Sequence, residues 1–400
     1  MFGINYLRQN FSHDQRYIIV AVFALILPFY LCAAVHMFLV IRLLLTGEIQ
    51  ESYRRTKKGK WIMAFCLLTI LVSLFYGNYF GLVMALVLLN EFCLIFFYRK
   101  HVTPALFEFL MNAIIWLSII SAMYALIEYV GILNKFDIDQ IEIIVFNTPK
   151  YRINSFYFNA NYYAMMIEFF VAIIFYKLLK TINKKDILLS LKQIGEYSAI
   201  IFLNLFVLYL TGCRTAWPAL LVAVIMMLFS NHNRKISGII ALGAAIGASF
   251  FALNPDLIPR TANLSSYLGV RMKIWKVAIA NIKTHFLFGE GPFTYYHIYK
   301  QYGGHPTQHS HNIYIDVMLC FGIVGIALVI PYVLDAMKDI FLMQRNRINN
   351  NLLGLIIAFV VIVMVHGIFD CTIFFVQTGF LFLLIIHSFT AYRDFYRQEE

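Results

Sequence analysis

Apolar runs of about 20 residues, the length a helix needs to cross the hydrocarbon core of a bilayer, recur along almost the whole chain. They lie near residues 17–45, 61–78, 79–98, 105–133, 158–176, 195–211, 214–230, 236–253, 312–333, 352–369 and 373–392. Within lipid a helix satisfies its own backbone polar groups. The runs therefore predict an all-α polytopic membrane protein of eleven or twelve transmembrane helices, with residues 1–400 forming one integral membrane domain. The count turns on the first run, which is long for one helix, short for two, and carries Pro28 where a hairpin would bend. Charged residues make up 13% of the chain, against about a quarter in an ordinary soluble domain. That balance excludes a soluble enzyme, a disordered chain and a nucleic-acid partner. The first 16 residues are polar and no small-residue cleavage site follows the first run, so no removable signal peptide is expected. The six cysteines include no CxxC pair and lie in or beside apolar segments, where each reads as a small buried hydrophobe.

Basic residues between the runs set the orientation. Segments 46–60, 99–104, 177–194, 231–235, 334–351 and 393–400 together hold nineteen Lys and Arg, and these are placed in the cytoplasm. The opposite set faces outward: the turn at Gly77 and Asn78, loop 134–157, the turn around Gly212 and Arg214, segment 254–310, and the turn near Asp370. One span in the first run puts the N-terminus outside and a hairpin puts it inside. Segment 254–310 is too long for a bare connection and is expected to hold structure. Within it, Val270, Ile274, Val277, Ala278 and Ile282 recur at helical spacing over 267–286. This pattern predicts an amphipathic helix lying on the outer membrane surface, broken by Gly289, Gly291 and Pro292. Gly243 and Gly247 form a GxxxG pair suited to close helix packing.

The intramembrane carboxylates Glu91, Glu108, Glu128, Glu168 and Asp316 are scattered over different runs, which does not suggest an ion path. The informative polar residues gather at the outer face: Arg152, Arg214, Arg260, Arg271, Lys273, His305, His309, His311 and Asp370. Ten outer Lys and Arg run against the positive-inside bias. An anionic ligand is one reason, because guanidinium forks suit phosphate oxygens. Arg214 is the most telling, at the junction of two apolar helices; snorkelling to headgroups is the plainer reading for Lys273 or Arg260 taken singly. His309-Ser-His311-Asn312 stands where the outer segment meets a helix. A histidine there suits a general base; the plainer reading makes Ser310 or Asn312 an N-cap and leaves the histidines interfacial. No outer cysteine or carboxylate cluster completes a metal site from the sequence, so no metal is assigned. His366 and Asp370, four apart, are expected to share a helix face. Asp137-Ile-Asp139 matches a metal-holding DxD pattern but is predicted outside, where nucleotide-sugar donors are absent.

The ordered set of motifs resembles the O-antigen ligase and polymerase superfamily of bacterial membrane glycosyltransferases, which use undecaprenyl-diphosphate-linked glycans. The resemblance rests on Arg152-Ile-Asn-Ser-Phe-Tyr-Phe-Asn-Ala-Asn161; Thr211-Gly-Cys-Arg214, with Cys213 where the family often has Ser; Arg271 to Trp275 running to Phe288-Gly-Glu-Gly291; and His311-Asn312-Ile-Tyr with Phe321-Gly-Ile-Val-Gly325. It covers about residues 150–330, and the N-terminal third matches in hydropathy alone. The resemblance implies a glycosyltransferase-C-like fold of about twelve membrane helices in the bacterial cytoplasmic membrane, with the active site facing the periplasm or exterior. It implies that Arg214 and Arg271 bind the lipid diphosphate and that His311 is the catalytic base. Arg152, Asn161, His309, Asn312 and Asp370 are candidate supporting residues. It further implies an undecaprenyl-diphosphate-linked glycan as donor, a lipid or glycan acceptor, contact with membrane lipids, no cofactor, and inverting transfer. Ligase and polymerase share this donor site; a flippase of lipid-linked oligosaccharide is the reading from another class.

Overall fold

The computed structural model describes residues 3–135, 151–182, 187–231, 237–243, 246, 253 and 264–396, and among these the regular structure is all helix, with no strand. Four described helices are long and apolar enough to cross a membrane: Tyr79–His101, Pro104–Lys135, Leu188–Leu210 and Ile313–Arg345. Phe29–Leu45 and Glu48–Arg55, bent by 88° at their break, make up a fifth candidate. Gly59–Phe75, Ala216–Ser230 and Asn350–His366 are shorter apolar helices.

Several expected runs are interrupted, each for a local reason. The first divides into His13–Phe23, a 3-10 turn Ala24–Ile26, and Phe29–Leu45. Pro28 precedes the second helix as its N-cap, where a missing amide proton costs nothing. The last run is likewise not one helix. A 3-10 turn Thr372–Phe374, the 11-residue helix Val376–Ile386 and a 3-10 turn Ser388–Tyr392 follow one another. Eleven helical residues rise about 16 Å, half the hydrocarbon thickness. Half of run 236–253 lies outside the described residues, as do Gly247, Asp137, Asp139 and Arg260.

Ala160–Ile182 is the axis of the core. It packs against Pro104–Lys135, Ile187–Leu210, Ala216–Ser230, Asn350–His366 and Val376–Ile386, and Tyr163, Met166, Phe169, Phe170 and Tyr176 along it are all buried. A helix apolar on every side belongs in such a place. Its ring stack Phe169–Phe359, 4.2 Å between centroids, joins it to Asn350–His366. The scattered carboxylates are each tied locally. Glu91 meets His36 at 3.0 Å, Glu168 meets His366 at 2.8 Å, and Glu108 binds Lys177, Lys180 and Tyr176. Glu128 accepts the amides of Asn154 and Ser155, and Asp316 that of Ser310. All six cysteines are buried and free.

The amphipathic helix forms over Leu264–Thr284, but its apolar face does not lie against lipid as expected. Ile274, Val277 and Ala278 are buried against Tyr295, Ile298 and Leu319, so protein covers that face. The run 312–333 is also broken where a single span was expected. Gly322 has φ 59°, and the amides of Ile323 and Val324 donate to Phe286 and Leu287 carbonyls at 3.0 Å instead of up their own helix. Gly291 in turn donates to the Cys320 carbonyl at 2.9 Å. A side chain at Gly289 would strike the Cys320 backbone, and one at Gly322 the Leu287 backbone. The motifs Phe288-Gly-Glu-Gly291 and Phe321-Gly-Ile-Val-Gly325 are thus two halves of one joint, in which glycine permits both the turn and the close approach. Asn78, after capping Tyr79–His101, donates to Glu290 and Pro292 carbonyls and fastens the joint to the neighbouring helix turn.

Candidate functional site

The segment leading into Ile313–Arg345 is held on every side. Asn312 is the N-cap, its Oδ1 accepting from the Ile315 amide at 3.0 Å, so the capping reading is correct for this residue. Its Nδ2 donates to the Ile368 carbonyl, and the Ile313 amide to that of Gly367 at 2.8 Å. Ser310 donates its amide to Asp316 and its hydroxyl to the Asn312 carbonyl. Trp275, on Leu264–Thr284, donates its indole N–H to the Ser310 carbonyl at 3.0 Å. Between these anchors His311 sits in the left-handed region at φ 52°, a conformation that costs a non-glycine residue roughly 1–2 kcal/mol. The anchors on either side hold the backbone in that conformation.

Asp370 meets both histidines. Its Oδ1 lies 3.6 Å from His309 Nε2 and 3.4 Å from His311 Nδ1, with 4% of the carboxylate side chain exposed against 12% and 27% for the two rings. The histidine rings stand edge to face, 4.4 Å between centroids. His311 Nδ1 nonetheless has no aligned hydrogen bond, while Nε2 lies 3.1 Å from the Thr307 hydroxyl. The carboxylate is oriented from behind. Asn161 Nδ2 donates to Asp370 Oδ2 at 2.6 Å, Arg152 donates to Asn161 Oδ1 at 2.5 Å, and Arg152 Nε donates to the Thr211 carbonyl at 2.5 Å. The Cys371 amide completes Oδ1 at 2.8 Å. Burial alone would raise the Asp370 pKa; contact with His311 and the charges of His309 and His366 outweigh it and hold the carboxyl well below its ordinary range. Burial pushes His309 below its usual value, helped by the like charge of His311 and opposed by Asp370.

Thr211 belongs to the turn that carries Arg214. Gly212 turns at φ 61°, the Thr211 hydroxyl donates to the Leu208 carbonyl, and the Cys213 amide donates to the Thr211 hydroxyl. The turn that carries Arg214 is therefore joined, at its Thr211 carbonyl, to the histidine cluster through Arg152 and Asn161. Arg271 approaches from the other side, its guanidinium 5.3 Å from the Phe369 ring centroid. It is one helical turn from Trp275, and so shares the face that grips Ser310. Burial lowers its pKa, against the stabilising charge of Asp370. Lys273, Lys276 and His305 are exposed and take no part.

The expected pairing of His366 with Asp370 is corrected. The helix ends at His366, and the turn over 367–369 carries Asp370 off its face. His366 Nδ1 instead meets Glu168 at 2.8 Å, and Nε2 the Thr215 hydroxyl at 3.5 Å. The Asp370 contact to His309 and His311 was not foreseen, since nothing in the sequence links positions about sixty apart. It also supplies the carboxylate that the sequence argument against a metal lacked: the three ligand atoms lie within 4.8 Å of one another.

Below this cluster a cavity of about 220 Å³ runs from His309, Tyr162, Asp316 and Cys371 to Phe321, Phe374, Phe382 and Leu383, reaching Glu91. Apart from its polar end and Glu91 it is walled mainly by apolar and aromatic side chains.

Residues 199–330 match the family model described as O-antigen ligase, which supports the resemblance to the O-antigen ligase superfamily. The matched stretch includes Arg214, Arg271, His309, His311 and Asn312, and both halves of the glycine joint. No curated protein matches the chain.

Proposed function

We propose that this O-antigen-ligase-like chain is a membrane glycosyltransferase that moves a preassembled glycan from undecaprenyl diphosphate to an acceptor hydroxyl at the outer face of the bacterial cytoplasmic membrane. The observation that carries the reading is the chain of contacts from Thr211 through Arg152, Asn161 and Asp370 to His311, next to an apolar cavity that His309 borders. In this reading the Asp370 carboxylate selects the tautomer of His311 that is protonated at Nδ1. The lone pair on Nε2 is then turned toward a hydroxyl, the place Thr307 now holds. Contacts of this kind are often long until substrate binds. The acceptor hydroxyl gives its proton to Nε2 as its oxygen attacks the anomeric carbon, opposite the departing diphosphate, and the configuration inverts.

Negative charge grows on the bridging oxygen as the sugar–oxygen bond breaks. Arg214 and Arg271, fixed before the reaction, stabilise that charge more in the transition state than in the ground state, and a metal is not needed for the step. The cavity is suited to part of a polyprenyl tail. Further membrane crossings, to a total of about twelve, complete this arrangement. The local pairing of Glu91, Glu108 and Glu168 favours an enzyme over a flippase, which would need charged residues open to a path through the bilayer.

The test is product analysis with purified protein, an undecaprenyl-diphosphate-linked glycan and a chelator, with and without a lipid anchor. Glycan on the anchor is the ligase outcome, and longer lipid-linked chains without it are the polymerase outcome. No covalent product with any acceptor would overturn the reading.

A further inference from the structure

We propose that His309, His311 and Asp370 form a reversible Zn²⁺ site, and that the bound ion withholds His311 from the acceptor; the second half rests on the reading of His311 as base. Zinc binds histidine nitrogen and carboxylate oxygen at bond lengths of about 2.0–2.1 Å, and a tetrahedral ion then holds neighbouring ligand atoms about 3.3 Å apart. His309 Nε2 and His311 Nδ1 lie 3.6 and 3.4 Å from Asp370 Oδ1. An octahedral magnesium site would hold neighbours nearer about 3.0 Å and would use oxygen ligands. His311 Nδ1, buried without a hydrogen bond, gives up no aligned partner on binding the ion. The support behind the ligands is in place as well, since Asn161 and the Cys371 amide fix the carboxylate and Arg152 fixes Asn161. Two imidazoles and one carboxylate leave a fourth position for water.

The other described group of this kind, Asp14, Glu48 and His101, differs in one respect: Lys100 Nζ lies 2.8 Å from Glu48 and already supplies the positive charge. At the outer cluster the ion-pair partners of Asp370 are the two histidines themselves, and Arg271 acts on the carboxylate through its charge without an ion pair to it among the described residues.

The consequence for chemistry follows from the imidazole. Neutral imidazole carries one N–H, so an ion bound at Nδ1 leaves that proton on Nε2. Nε2 then donates and no longer accepts, and the acceptor hydroxyl keeps its proton.

The full-length protein in detergent, stripped with a chelator and dialysed, is titrated with ZnCl₂ against a chromophoric zinc indicator, and with CoCl₂ by visible absorption. One zinc per chain and the intense bands of four-coordinate cobalt are expected. His309→Ala and Asp370→Asn should each weaken zinc binding by about tenfold or more, while His101→Ala should not. The cobalt spectrum of the unaltered protein stands whether or not the variants fold. Absence of stoichiometric zinc, or full retention of it in a folded His309→Ala protein, would overturn the site. Zinc should also inhibit glycan transfer, with chelator restoring it. Zinc bound with transfer unchanged overturns the withholding step and the role of His311 together. Transfer lost in His311→Ala with no zinc bound to the unaltered protein overturns the zinc site alone.

Discussion

Two histidine–carboxylate groups, which share the stretch of chain from His366 to Asp370, differ in nearly every physical respect. His366 and Glu168 are fully buried and meet at 2.8 Å, as His36 and Glu91 do at 3.0 Å. Asp370 meets His309 and His311 at 3.6 and 3.4 Å, both rings are partly exposed, and one ring nitrogen has no aligned hydrogen bond. The first arrangement is closed: its imidazole is held between Glu168 and Thr215 with no route to solvent. The second is open, with a nitrogen facing a hydroxyl and a strained backbone beneath it. A charge pair that holds structure is short and sealed. A group that takes a proton from a substrate needs an accessible lone pair and a partner that orients it without consuming it.

Substitutions at the two groups separate function from stability. His311→Ala should lower transfer by about 10²–10⁴-fold with an unchanged melting profile in detergent; transfer near the parent rate would place the base elsewhere. Glu168→Ala should instead destabilise the fold by about 3–5 kcal/mol, because His366 is left buried and unpaired. Its test is thermal unfolding beside Glu168→Gln, which keeps an acceptor and should melt closer to the parent. A Glu168→Ala protein as stable as the parent would dissolve the contrast. Arg271→Ala should reduce transfer by about 10²–10³-fold, with Arg271→Lys restoring little, since a lysine cannot present a fork of donors. Full recovery with lysine would reduce Arg271 to a point charge.

The smallest effect is the pH dependence of stability. His309 is held below 6.5 in the fold, so below that pH the unfolded chain binds its proton first, and stability is full above about pH 6.5 and falls on acidification toward the lower folded value. Asp370, held below 3.8, follows the same sign at lower pH: its contribution is present above that value and is lost as the solution becomes more acidic. Melting temperature of His309→Ala should therefore fall less between pH 6.5 and 5 than that of the parent. Parallel slopes in the two proteins would show that His309 is not the group responsible.

Much of this protein is written in local sequence. Long apolar runs dictate helices, since a backbone in lipid has no other donor or acceptor than its own. The turns at Gly77–Asn78 and Gly212–Arg214 are marked by residues that cap helices or adopt positive φ, and Asn312 caps by the same short-range chemistry. The periodicity of 267–286 predicts a helix with an apolar face, and residue type singles out Arg214, Arg271, His309, His311 and Asp370 one at a time. Their assembly was decided elsewhere. Asn161 reaches Asp370 across 209 residues and Arg152 reaches Thr211 across 59. Gly322 breaks a run that hydropathy reads as continuous because the Phe286–Leu287 carbonyls take over its amides. Hydropathy and capping act within a few residues, so they are legible in order along the chain. Which carboxylate meets which histidine, and whether lipid or protein covers an apolar face, depends on how the helices pack, and only the tertiary structure contains that.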